Sequence, residues 1–174
     1  MKKILSLLLC ALMAALLLAG CGESAAPASE PPAQQSQSAE QTEDGSDAIT
    51  APAEDVAMQY ISIADAAAVL DSADYTFIDV RKAADYAASH IPGAISADMD
   101  AAKNGDFDAG VATMQAATKD LSNNLVIICY SGKSYAQATT NVLSAMGYDM
   151  SKVYTLEGGF NAWSETYPDN VTAE

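Results

Sequence analysis

The apolar and polar positions divide the chain into three parts. Residues Ile4 to Ala19 are almost all apolar. Gly22 to about Asp55 shows no hydrophobic periodicity at all. From Tyr60 onward, short branched or aromatic runs alternate with stretches spaced for helices. Tyr60-Ile61-Ser62-Ile63 predicts a strand, Ala64 to Leu70 a helix, and Tyr75 to Val80 a second strand. Ala83 to Ser89 predicts a short helix, His90 to Gly93 a turn, and Ala94 to Ala97 a short strand. A helix is expected over Asp108 to Lys119, after the Asn104-Gly105 turn. Leu125-Val126-Ile127-Ile128 reads as a strand buried on both faces and ends on Cys129. Tyr135 to Met146 follows as a helix stopped by Gly147. Lys152 to Thr155 is the last strand, Gly158-Gly159 a tight loop, and Phe160 to Thr166 the last helix. This alternation implies an α/β domain with a largely parallel central sheet flanked by helices. Such sheets bind ligands at the C-terminal ends of their strands, where Cys129 falls.

The first two parts change the picture of where the domain sits. Lys2 and Lys3 precede the apolar run, which ends in Leu18-Ala19-Gly20-Cys21. Charge, length and small-residue exit describe a secretory signal. The run is short for a membrane-spanning helix, which needs about 20 apolar residues. Leu18 to Cys21 resembles the bacterial lipoprotein box, which implies cleavage before Cys21 and a lipid anchor on it. An uncleaved anchor helix or an ordinary secretory signal are the alternatives. The stretch after Cys21 is rich in Ala, Ser, Gln, Glu and Pro and has no aromatic residue, Lys or Arg. It cannot bury enough apolar surface to offset its chain entropy, so it reads as a disordered tether kept extended by its acids. The expected division is a signal over 1–20, a lipidated Cys21 and acidic linker over 21–57, and one domain over 58–174. The domain would then be exported and held on the extracytoplasmic side of a bacterial cell membrane.

Composition narrows the function. The net charge of −15 becomes −17 once Lys2 and Lys3 leave with the signal. So acidic a chain argues against binding nucleic acid and against electrostatic attraction to anionic lipid. About 115 residues are enough for one core. Of three cysteines, Cys10 leaves with the signal and Cys21 is the lipid site, so Cys129 is the one thiol of the domain. No internal disulfide follows, and with His90 as the single histidine no metal site of several Cys and His ligands is expected. The lone thiol and long tether fit a monomer.

Cys129-Tyr130-Ser131-Gly132-Lys133-Ser134 carries the candidate chemistry. A thiol at the end of a buried strand, facing a helix N-terminus, meets unpaired N–H groups and the positive end of the helix dipole. Both favour negative charge on sulfur and could cradle an anion. An inert core cysteine is the competing reading.

Four segments, in order, resemble the rhodanese (sulfurtransferase) family. They are Phe77-Ile78-Asp79-Val80-Arg81 with Tyr86, His90-Ile91-Pro92-Gly93-Ala94, the loop Cys129 to Ser134, and Leu156-Glu157-Gly158-Gly159 with Trp163. The resemblance covers Ile61 to Pro168. It implies that Cys129 takes sulfane sulfur from a small donor, thiosulfate or a persulfide, as a Cys129 persulfide and passes it to a thiol or cyanide. No cofactor is required. Residues Tyr130, Ser131, Gly132, Lys133 and Ser134 would hold the persulfide through their N–H groups, with Asp79 and Arg81 in support as an ion pair. The loop has Ser134 where one common form of the family has Arg. Tyr130 and Ser131 stand where some thiosulfate-using members carry basic residues. Lys133 is the only loop cation, either drawing an anionic donor or pointing into solvent. The loop lacks the longer spacing and terminal Arg of related phosphatases. His90 is expected to hydrogen-bond backbone and Trp163 to anchor the core. Two other classes stay open: a non-catalytic binding or persulfide-carrier module, and a thiol redox sensor working through sulfenic acid.

Overall fold

A computed structural model describes residues 48–174. The signal-type segment 1–20, Cys21 and the linker to residue 47 lie outside the described residues. Five strands form one sheet in which every pairing is parallel: β1 (Gln59–Ile61), β2 (Tyr75–Asp79), β3 (Ile95–Ser96), β4 (Asn124–Ile128) and β5 (Val153–Leu156), in the order β1-β5-β4-β2-β3. Parallel neighbours need crossovers, and α1 (Ile63–Ala68), α2 (Ala83–Ala88), α3 (Asp100–Lys103), α4 (Phe107–Thr118) and α5 (Ser134–Ala145) lie in them, while α6 (Gly159–Thr166) follows the last strand.

The strand period of two sorts side chains to two cores. Ile78, Leu125, Ile127 and Cys129 pack with Met99, Val111, Met114, Tyr135, Ala136, Val142 and Leu143, against α4 and α5. Phe77, Val126, Ile128 and Leu156 pack with Ala66, Tyr86, Ile91, Phe160 and Trp163, against α1, α2 and α6. The central strand is therefore covered on both faces, and Leu125 to Ile128 are fully buried. Each such side chain contributes about 1.5–3 kcal/mol. Trp163 is also fully buried, and its indole N–H donates to the Asn170 carbonyl at 3.0 Å.

Two segments depart from the expected division. The four-residue α3 was not expected; it is too short to show a helical period. Residues 48–57, read as linker, lie against the domain. Ile49 packs on the first core, Val56 N–H donates to Asn141 Oδ1 at 2.9 Å, and Gln137 Nε2 donates to the Val56 carbonyl at 2.8 Å. These bonds satisfy backbone groups through polar side chains of α5, which leaves no hydrophobic signature in residues 48–57.

Candidate active site

Asp79, Arg81 and the loop from Cys129 to Ser134 lie together at the C-terminal edge of the sheet, where β2 and β4 end. Parity along β4 aims Cys129 to the side of α5. Its sulfur joins the core that contains Tyr135 and Ala136, and the residue is only 2% exposed. The loop Tyr130 to Lys133 then turns into α5. Among the described residues, no backbone N–H from Tyr130 to Ala136 donates to a protein acceptor. Nor does any side chain cap α5, whereas Ser62 caps α1 through Asp65 N–H at 3.1 Å and Asp106 caps α4 through Ala109 N–H at 3.1 Å. An uncapped twelve-residue helix with a run of free donors before it is an anion cradle.

The members of that loop differ in exposure. Ser131, Lys133 and Ser134 are exposed, Tyr130 is half-buried and Gly132 is buried at φ 69°. The Gly132 carbonyl accepts from the Tyr60 hydroxyl at 3.3 Å. Below the loop lies Gly159. Phe160 N–H donates to the Cys129 carbonyl at 2.7 Å and Asn161 N–H to the Tyr130 carbonyl at 3.1 Å. The N-terminus of α6 thus holds the carbonyls of the loop and leaves the loop's own N–H groups free.

Asp79 and Arg81 form the expected ion pair, and it is buried: Asp79 is fully buried and Arg81 4% exposed. Arg81 Nη2 reaches Asp79 Oδ2 at 2.7 Å, and Nε reaches Oδ1 at 3.0 Å. Arg81 Nη2 also donates to the Ser89 carbonyl at 2.6 Å, and the guanidinium stacks 3.7 Å from the Phe160 ring centroid. The pair ties β2 to α2 and to the segment under the loop. Asp79→Ala would leave this guanidinium buried without its counter-ion, a loss of about 3–5 kcal/mol. Urea unfolding of the full chain should show that fall. A change below about 1 kcal/mol would mean that the guanidinium escapes to water.

His90 is buried, with Nδ1–H donating to the Tyr86 carbonyl at 2.8 Å and its ring stacked 3.9 Å from that of Tyr86. It serves the backbone, as expected. Sequence reasoning missed two tyrosine–carboxylate pairs at the ends of the loop. The Tyr130 hydroxyl donates to Asp85 Oδ2 and accepts from Lys82 N–H at 3.3 Å. The Tyr135 hydroxyl donates to Asp100 Oδ1, and its ring meets Tyr130 edge-on at 5.2 Å. Burial, and then the neighbouring carboxylate, push both phenols above their ordinary range. The bond from Tyr135 holds the Asp100 carboxyl below its own. Partners 45 and 35 residues apart leave no local signal.

Comparison with known proteins identifies the family. A family model described as a rhodanese-like domain matches residues 62–166. A thiosulfate sulfurtransferase GlpE of Pseudoalteromonas translucida is 33% identical over 116 residues, covering 67% of this chain and 98% of that protein. One from Tolumonas auensis is 32% identical over 114 residues, covering 64% and 93%. In fold, the BH2092 protein of Bacillus halodurans has a TM-score of 0.52 at 23% identity, over 66% of this chain and 77% of that one. The rhodanese-like domain of the Anabaena Alr3790 protein has 0.51 at 19%, over 68% and 81%. The chain belongs to the rhodanese-like family of sulfurtransferases.

Proposed function

We propose that this protein is an exported, lipid-anchored sulfurtransferase that carries sulfane sulfur as a Cys129 persulfide. The observation that carries the reading is the run of free N–H groups from Tyr130 to Ala136 beside a thiol only 2% exposed. A nucleophile so enclosed reaches only an atom at the tip of its substrate, and a sulfane sulfur is such an atom. The Cys129 thiolate attacks the outer sulfur of the donor. A new S–S bond forms, and the donor's own S–S bond breaks with its electron pair leaving on sulfite or a thiolate. The extra negative sulfur is held by the loop's N–H donors, as an oxyanion is in other enzymes. Cyanide or a thiolate then attacks that outer sulfur and releases the Cys129 thiolate. Enclosure also disfavours the redox-sensor reading, since sensor thiols are accessible to oxidant.

The test is turnover of the full chain with thiosulfate and, separately, with a low-molecular-weight persulfide, cyanide being the acceptor. Thiocyanate forming in excess of enzyme supports the reading. A folded chain that forms none with either donor contradicts it. The anchor is tested apart from this, by incorporation of a labelled fatty acid that is lost in Cys21→Ala.

A further inference from the structure

The direction of each N–H in the loop follows from what holds the carbonyl before it. In a trans peptide the C=O of one residue and the N–H of the next point in opposite directions. Phe160 N–H holds the Cys129 carbonyl at 2.7 Å, and Asn161 N–H holds the Tyr130 carbonyl at 3.1 Å. These two bonds turn the N–H groups of Tyr130 and Ser131 away from α6. The Gly132 carbonyl is held by a side chain instead. It accepts from the Tyr60 hydroxyl at 3.3 Å, and Tyr60 stands on β1 at the edge of the sheet.

This third carbonyl needs a holder more than the other two do. Gly132 sits at φ 69°, and a Cβ there would lie 2.8 Å from the Leu156 carbonyl oxygen and 3.4 Å from Gly158 N. The position is confined to glycine, the residue with the greatest backbone freedom. The Gly132–Lys133 peptide can therefore flip unless a bond from outside the loop restrains it. Tyr60 is put in place to do so by register: it pairs with Thr155 where β1 runs beside β5. Its ring is 51% exposed, so the core has little use for it.

We infer that Tyr60 is a positioning residue for sulfur transfer, its hydroxyl fixing the Gly132–Lys133 peptide so that Lys133 N–H faces the persulfide together with the N–H groups of Tyr130 and Ser131. The inference rests on the sulfurtransferase reading and adds a residue to that same site. Tyr60 touches no reacting atom and acts through the backbone alone. With the peptide held, Lys133 N–H donates to the negative outer sulfur carried by Cys129. With the peptide flipped, the Gly132 carbonyl oxygen turns toward that charge and opposes it.

The test is amide NMR of the isotope-labelled full chain before and after charging Cys129 with a low-molecular-weight persulfide, the added sulfur being verified by intact mass. The amide protons of Tyr130, Ser131 and Lys133 should move downfield as they bond the anionic sulfur. In Tyr60→Phe, which removes only the hydroxyl, the Lys133 shift should largely vanish while those of Tyr130 and Ser131 persist. Turnover to thiocyanate should fall about threefold to tenfold, the worth of one net hydrogen bond, with the donor's KM kept within about twofold. The urea midpoint should hardly move, since the residue is half exposed. Uptake of sulfur by the unaltered chain with no shift at Lys133 overturns the inference and leaves sulfur transfer standing. A Lys133 shift of equal size in Tyr60→Phe does the same. Turnover lost only in step with the urea midpoint makes Tyr60 a structural residue and also overturns it. Failure of the unaltered chain to take up sulfur removes the sulfurtransferase reading and this inference with it. The spectra of the unaltered chain stand as a test even if Tyr60→Phe does not fold.

Discussion

Replacing Cys129 with alanine is expected to reduce sulfur transfer to background while leaving the domain folded. No other thiol lies among the described residues, so nothing there can take over the covalent step. The fold has little to lose. Cys129 makes no hydrogen bond through sulfur among the described residues, and its side chain is one small member of a core built on Ile78, Leu125, Ile127 and Leu143. Deleting one buried sulfur should cost about 1 kcal/mol. Thiocyanate production and urea unfolding, measured on the same preparation, separate the two effects. Transfer retained in Cys129→Ala would remove the thiol from the chemistry. Transfer lost together with several kcal/mol of stability would make Cys129 a packing residue.

Gly159→Ala is expected to do the reverse, damaging the site through the backbone. A methyl group there would lie 2.3 Å from the Cys129 carbonyl oxygen and 2.7 Å from both Ser131 N and the Tyr130 carbonyl carbon. These are backbone atoms of the active loop and cannot rotate aside. The residue also sits at φ 62°, where a side chain adds about 1–2 kcal/mol of strain. Together the penalties should exceed about 3 kcal/mol. The loop must shift, and Phe160 N–H and Asn161 N–H would lose the carbonyls they now hold. Gly158→Ala makes the comparison. Its added methyl would meet the Ala162 side chain at 2.6 Å, within α6 and away from the loop. Both variants should lose stability, and Gly159→Ala should lose the larger share of transfer per unit of folded protein. Equal transfer by the two folded proteins would mean that the loop does not depend on this close approach.

Much of the fold was legible because its signals are local. Four branched apolar residues in a row favour a strand covered on both faces, and Leu125 to Ile128 form that strand with Asn124. Asp79 and Arg81 are two residues apart at a strand end, so their ion pair could be expected, and the structure adds that it is buried. What stayed hidden depends on chain segments meeting from afar. Gly158-Gly159 reads as a turn, but the space around Gly159 is set by a loop some 30 residues earlier. Tyr130 and Tyr135 look like ordinary loop and helix aromatics until Asp85 and Asp100 come up beside them. Residues 48–57 carry no apolar period, and their attachment through Gln137 and Asn141 is written in side-chain amides of α5.

The central claim is that Cys129 carries sulfur. Intact-mass and peptide mass spectrometry of the full chain, after exposure to a low-molecular-weight persulfide and removal of excess donor, tests it most directly. The account predicts a gain of one sulfur atom confined to the peptide containing Cys129, discharged by cyanide and absent from Cys129→Ala. A folded chain that gains no sulfur, or gains it elsewhere than at Cys129, would contradict the account.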